Sequence, residues 1–185
     1  MGEDGATHQM LEDISLMKTL PNMTVLCTSD DIQTKWAVRE IAKFQCPVYL
    51  RLCRMKSDVI YTEQTKFEIG KACQIGDGTD ATIITTGITT QEAIKAMKVL
   101  KQEGINVRVL DIHTIKPIDK EAIIKCVIET KQIITVEDHN VIGGLGSTVC
   151  DVLSQNYPKK VTVMGIKDTF GKSRKSRRIN GIFRN

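Results

Sequence analysis

Ala81-Thr82-Ile83-Ile84-Thr85-Thr86-Gly87 is a β-branched run that stops at a glycine, the pattern of a buried strand and its turn. After it, Ala93, Ile94, Met97 and Leu100 fall on one helical face, and Gly104 closes the helix. Val107-Arg108-Val109-Leu110 returns to strand. Ile133-Ile134-Thr135-Val136 and Val161-Thr162-Val163-Met164 add two more strands, separated by helices around 120–128 and 147–155. The alternation predicts an α/β unit: a parallel or mostly parallel sheet with helices on both faces, giving three αβα layers.

Working outward toward the N-terminus, the same logic recurs on a smaller scale. Met10/Leu11, Ile14 and Met17 mark a helix stopped by Pro21, and Thr24-Val25-Leu26-Cys27 reads as a short buried strand. Ile32, Trp36/Ala37 and Ile41 form a helical face behind the cap signals Ser29-Asp30-Asp31, and Val48-Tyr49-Leu50-Arg51-Leu52 is a second strand. This too is a parallel strand, helix, strand unit. From Arg54 to about Gly78 the chain turns polar, apart from Val59-Ile60-Tyr61, and Gly76-Asp77-Gly78 forms a turn. The expected organisation is therefore a first unit over 1–56, a linker over 57–78, a second unit over 79–171 and a tail over 172–185.

The 185 residues, 41% hydrophobic, suffice for one ordinary domain or two small ones. No apolar run reaches the roughly 18 residues of a membrane span, and the acidic, Gly-rich start lacks a signal-peptide pattern, so neither a membrane partner nor export is expected. Cys27, Cys46, Cys53, Cys73, Cys126 and Cys150 show no C-x-x-C spacing and read as reduced thiols in a cytoplasm. Six positive charges of the formal +4 chain (Lys172, Arg174, Lys175, Arg177, Arg178 and Arg184) sit in the tail, leaving a mildly acidic body with only 4% aromatic residues. Nucleic acid is not an expected partner.

Three clusters have chemical potential. Gly2-Glu3-Asp4-Gly5-Ala6-Thr7-His8-Gln9 is polar and flexible, placed directly before a helix that Thr7 can cap. Asp4 can accept hydrogen bonds from hydroxyls and His8 can donate, accept or shuttle a proton, although spacing alone is equally that of an Asp-Gly turn and a helix cap. Arg51 and Arg54 lie at the carboxyl end of a strand, where ligands of open sheets gather and a guanidinium can grip phosphate; a solvated strand-end arginine is the plainer reading. Gly143-Gly144-Leu145-Gly146-Ser147 opens a helix after a strand, but Val149 breaks the dinucleotide spacing and a structural turn is expected. Glu137-Asp138-His139-Asn140 is assigned no catalytic role, and Asp111 and His113 are read as helix-capping or interface residues.

The octet 2–9, with Met10-Leu11-Glu12-Asp13-Ile14-Ser15-Leu16-Met17 and Leu20-Pro21-Asn22-Met23 after it, resembles the substrate-binding loop of transketolases. Pro47-Val48-Tyr49-Leu50-Arg51-Leu52, Ile115-Lys116-Pro117-Ile118-Asp119 and Gly143-Gly144-Leu145-Gly146 are looser matches, shared partly with deoxyxylulose phosphate synthases and 2-oxoacid dehydrogenase β subunits. Across Gly2 to about Thr169 the chain is most similar to the smaller subunit of bacterial transketolases divided between two chains. The resemblance implies the end of a parallel-sheet pyrimidine-binding domain followed by a complete transketolase C-terminal domain. It implies transfer of two-carbon ketol units between sugar phosphates of the pentose phosphate pathway, with thiamine diphosphate and Mg²⁺ supplying the chemistry. Asp4, His8 and Arg54 then line the sugar-phosphate channel. The activating glutamate has no match here and the diphosphate site belongs to another domain, so the chain alone is expected to be inactive and not to bind the cofactor. Its expected partners are an N-terminal thiamine diphosphate-binding subunit or domain and a second copy, joined through the C-terminal domain. Part of a deoxyxylulose phosphate synthase or of a 2-oxoacid dehydrogenase β subunit is the alternative among enzymes, and a catalytically silent dimerisation module is the alternative from another class. The family usually continues with a helix resembling Glu-Glu-Leu-Met-Glu-Tyr-Phe; its codons read one base early spell the residues at 177–183, so the tail is expected to be a disordered frameshift product.

Overall fold

The computed structural model describes residues 10–171. Asp4, His8 and the basic tail lie outside them. Helix α1 (Asp13–Thr19) leads to strand β1 (Thr24–Cys27), helix α2 (Asp31–Ile41) and strand β2 (Val48–Arg51). β1 and β2 pair in parallel, Thr24 opposite Val48 through Cys27 opposite Arg51. Asp30 caps α2 by accepting the Gln33 N–H at 2.8 Å.

The second half contains β3 (Cys73–Ile75), β4 (Ala81–Thr85), α3 (Thr89–Gln102), β5 (Val107–Asp111), β6 (Thr114–Lys116), α4 (Lys120–Glu129), β7 (Gln132–Asn140), α5 (Leu145–Asn156) and β8 (Val161–Ile166). Its sheet runs β3-β5-β4-β7-β8, parallel except for β3 at one edge. Alternation along β4 and β5 sends Ile83 and Val109 against Ala93, Ile94 and Met97 of α3, while Ile84 and Leu110 face the cluster containing α4 and α5. Helices thus cover both faces, as the sequence pattern implies.

Two strands escape the sequence pattern. β3 lies inside the stretch read as linker and pairs antiparallel with β5. β6 leaves the second half altogether, pairing antiparallel with β1 so that the first sheet is ordered β2-β1-β6. The intervening segment is also tied down: Ile60 and Tyr61 donate backbone N–H groups to Asp30, and Phe67 packs on Trp36 and His113. Consequently one core cluster holds Ile14, Val25 and Cys27 from the first half with Ile84, Leu110, Ile112 and Ile115 from the second. Gly87 makes that contact close, since φ is +60° and a Cβ would lie 2.6 Å from the Cys27 sulfur.

Ile115, 1% exposed, is the side chain β6 contributes to the shared core. Truncation to alanine should cost about 2–5 kcal/mol, read as a lowered urea midpoint. Because the strand belongs to one half by sequence and the other by pairing, amide exchange should accelerate in both β1 and β5.

Candidate functional site

β7 carries its polar residues Glu137-Asp138-His139-Asn140 at the carboxyl end, where strand alternation puts Glu137 and His139 on one face and Asp138 on the other. Each buried polar group requires a partner. The Glu137 carboxylate accepts N–H bonds from Leu145 at 2.6 Å and Gly146 at 2.9 Å. These are the free donors of the α5 N-terminus, so the Gly-rich loop is occupied by the protein's own carboxylate. A Cβ at Gly144 would sit 1.9 Å from that carboxylate, which explains the glycine. The loop is the structural turn its spacing implies. Burial outweighs the two N–H bonds and pushes the Glu137 carboxyl up to about 7.

Arg51, at the end of β2, joins three elements. Its Nε donates to Asp13 at 2.8 Å, Nη1 to Asp138 at 2.6 Å and Nη2 to the Asp138 carbonyl at 3.2 Å. Tyr49 donates its hydroxyl to the same Asp13 oxygen at 2.9 Å. Arg51 is therefore committed to carboxylates across both halves, and is not the arginine to meet a phosphate. Arg54 stands three residues farther along, exposed. The carboxyl ends of β1, β2, β4 and β7 meet here, with the start of α1 against them. That is the edge where open α/β sheets bind ligands.

A second junction surrounds Asp111, which is fully buried and accepts from Ser29 Oγ, Gln33 Nε2, Tyr61 OH and Thr90 Oγ1 at 2.8, 3.0, 2.7 and 3.2 Å. Burial raises its carboxyl above the ordinary range. It caps no helix. Its donors come from both halves, making it an internal interface residue. His113, also fully buried, packs edge-on against Trp36 and Phe67, and burial lowers its imidazole to about 4.

Of the residues singled out for the sugar phosphate, Arg54 is exposed just beyond β2, and Asp4 and His8 lie outside the described residues. What sequence reasoning missed is that Asp13, Arg51, Asp138 and His139 form the scaffold of this edge. Their partners are separated by 38 to 125 positions, so only the register of Arg51 at a parallel strand end hinted at it.

This architecture, two sheets sharing a core with a polar cluster at the strand ends, matches known proteins along its length. Residues 1–58 match the family described as transketolase, pyrimidine binding domain, and residues 70–180 that described as transketolase, C-terminal domain. The chain belongs to the transketolase family. It is 45% identical over 179 residues to a putative transketolase C-terminal section of Methanocaldococcus jannaschii, covering 95% of this chain and 56% of the relative. It is 44% identical over 168 residues to one of the subunits of an apulose-4-phosphate transketolase from Phocaeicola vulgatus, covering 90% and 54%. A solved structure titled split gene transketolase, inactive beta4 tetramer, superposes with a TM-score of 0.87 at 42% identity, over 91% of this chain and 56% of that one. The chain spans about half the length of the curated relatives it matches.

Transketolases generally use thiamine diphosphate, and the Gly-rich helix start among the described residues is not open to its diphosphate. Among them no group of three His, Cys, Asp or Glu side chains is placed to hold a metal ion, and Glu137 fills the Gly-rich helix start. Nor is any helix among them long and apolar enough to cross a membrane.

Two measurements check the scaffold. Arg51→Ala leaves the Asp13 side chain, 5% exposed, as an uncompensated buried charge, and should cost about 3 kcal/mol of unfolding free energy; adding Asp13→Asn should recover part of it. For His113, the unfolded chain takes up a proton near the ordinary 6.5 while the folded one resists to about 4. Its neutral state is thus penalised on acidification. Relative to wild type, His113→Phe should gain about 3 kcal/mol as pH falls from 6.5 to 4, measured by urea unfolding at each pH.

Proposed function

We propose that this chain supplies the sugar-phosphate side of a transketolase divided between polypeptides, which moves two-carbon ketol units between sugar phosphates. The reading is carried by one observation: Arg51 draws the carboxyl ends of β2 and β7 against the first turn of α1. Residue 10 stands three positions before Asp13, and Arg54 three positions after Arg51. The two family matches, in this order along one chain, and the naming of relatives matched over most of this chain as transketolase subunits support it further.

In this reading Asp4 accepts hydrogen bonds from sugar hydroxyls, His8 exchanges hydrogen bonds in the same channel, and Arg54 binds the phosphate through two parallel N–H bonds. Thiamine diphosphate and Mg²⁺ supply the carbanion chemistry and are held by an N-terminal partner subunit, with which this chain assembles. A homodimer formed through the C-terminal unit, in the cytoplasm and serving pentose phosphate interconversion, completes the proposal; no membrane or nucleic acid takes part.

The test is an assay with xylulose 5-phosphate and ribose 5-phosphate, with thiamine diphosphate and Mg²⁺ present. Turnover is expected when this chain is combined with the parts that supply both the diphosphate site and the missing half of the pyrimidine-binding domain with its activating glutamate, and none from the chain alone. Arg54→Ala should then raise KM for the phosphorylated donor by about tenfold or more, the loss of a charge-assisted pair. Turnover by the isolated chain, or an unchanged KM in that variant, would defeat the reading.

A further inference from the structure

β8 is the last strand of the five-stranded sheet and, among the described residues, pairs with β7 on one side only. Its sequence, Val161-Thr162-Val163-Met164-Gly165-Ile166, holds neither a charge nor a proline, two of the devices that keep a sheet edge from pairing with another chain. The opposite edge is blunted by length instead, because β3 has three residues. Both faces of β8 also reach solvent at its middle. Val163 lies against Gly146 of α5, where a Cβ would meet its methyl at 2.5 Å, and is 37% exposed. Met164 stands opposite Val136 on the other face and is 53% exposed. α3 packs on β4, β5 and β7, so Met164 sits at the rim of the face that α3 covers. The edge therefore offers a row of backbone N–H and C=O groups with an apolar side chain on each face. One added strand satisfies all of them.

We infer that the strand added here is β8 of a second copy of this chain, antiparallel and related by a two-fold axis at Met164. The inference rests on the homodimer of the proposed function and names the face that forms it. Residues opposite one another across antiparallel strands project to the same face, and successive residues alternate, so odd-numbered residues meet odd and even meet even. With Met164 on the axis, Thr162 stands opposite Ile166 and Val163 opposite Gly165 of the second copy. Just beyond the strand, exposed Lys160 stands opposite exposed Asp168 of the second copy, and symmetry repeats that pair at the other end. Neighbouring registers are worse. Centring on Val163 sets Lys159 against Lys167, a like-charge pair, and centring on Gly165 sets Lys160 against Phe170. Opposite charges at the strand ends thus select one register for two uncharged, self-complementary edges.

The test is sedimentation of the full chain over a range of concentrations, with amide exchange on the same samples. Wild type should dimerise. Lys160→Glu and Asp168→Lys each put two like-charge pairs across the junction and should raise the dissociation constant by about tenfold, and the double variant, which restores opposite charges, should return it to within about threefold of wild type. Met164→Lys sets lysine against lysine on the axis and should leave a folded monomer, since that side chain is exposed in a single copy. The β8 amides that point away from β7 should exchange more slowly as concentration rises. A wild-type chain that stays monomeric up to about 100 μM, a concentration that fills even a weak specific complex, overturns the inference and the homodimer with it. A dimer indifferent to these charges, or single variants that the double does not rescue, overturns the inference alone, because the copies then meet through another face. Protection of those amides in a monomer also overturns it, since another segment of the same chain then covers the edge, as does protection that appears only when a different polypeptide is added. Failure of the complete assembly to turn over sugar phosphates defeats the sugar-phosphate reading instead, and the dissociation constants still decide which face joins the copies.

Discussion

Four consecutive polar residues at the end of β7 must be satisfied in a region almost closed to water, and the rest of the structure is arranged around that requirement. Glu137 finds the open N–H groups of α5, Asp138 finds Arg51, His139 finds the first turn of α1, and the Asn140 N–H finds the Leu11 carbonyl. An unpartnered donor or acceptor there would cost about 1–3 kcal/mol. Since the partners lie on three different segments, two of them in the first half, satisfying one strand end fixes how the two halves sit together. β6 completes the arrangement by adding to the sheet of the first half.

The strands were nonetheless legible in very different degree. Strands such as β4 and β5, with flanking turns and helices of clear period, announce themselves locally, because burial on both faces demands continuous β-branched residues. β6 does not. Three residues carry no measurable period, and the information that makes them a strand is the edge of β1, some 90 positions earlier. β3 is hidden for the same reason: it is short, antiparallel and at an edge, inside a polar stretch that otherwise looks like a tether.

The two arginines show the same limit within a site. Arg51 and Arg54 follow one strand and are chemically identical, and nothing within a few residues reveals that the former meets Asp13 and Asp138. Strand register places Arg51 inside the structure, but the carboxylates that make its burial tolerable come from remote segments. Likewise Gly143-Gly144-Leu145-Gly146 resembles an anion cradle, and its anion, Glu137, lies just six to nine residues before it. A motif of open N–H groups says that a negative charge is wanted. It does not say whether a ligand or the protein provides it.

Electrostatics explains why this junction relies so little on free charge. Desolvation pushes His113 and His139 toward the neutral imidazole and raises Glu137 and Asp111 toward the neutral carboxyl. Arg51, whose guanidinium stays protonated, retains a full cation, and it is ringed by carboxylates. A polar clasp built mainly from hydrogen bonds has directional geometry without the long-range field of several exposed ions.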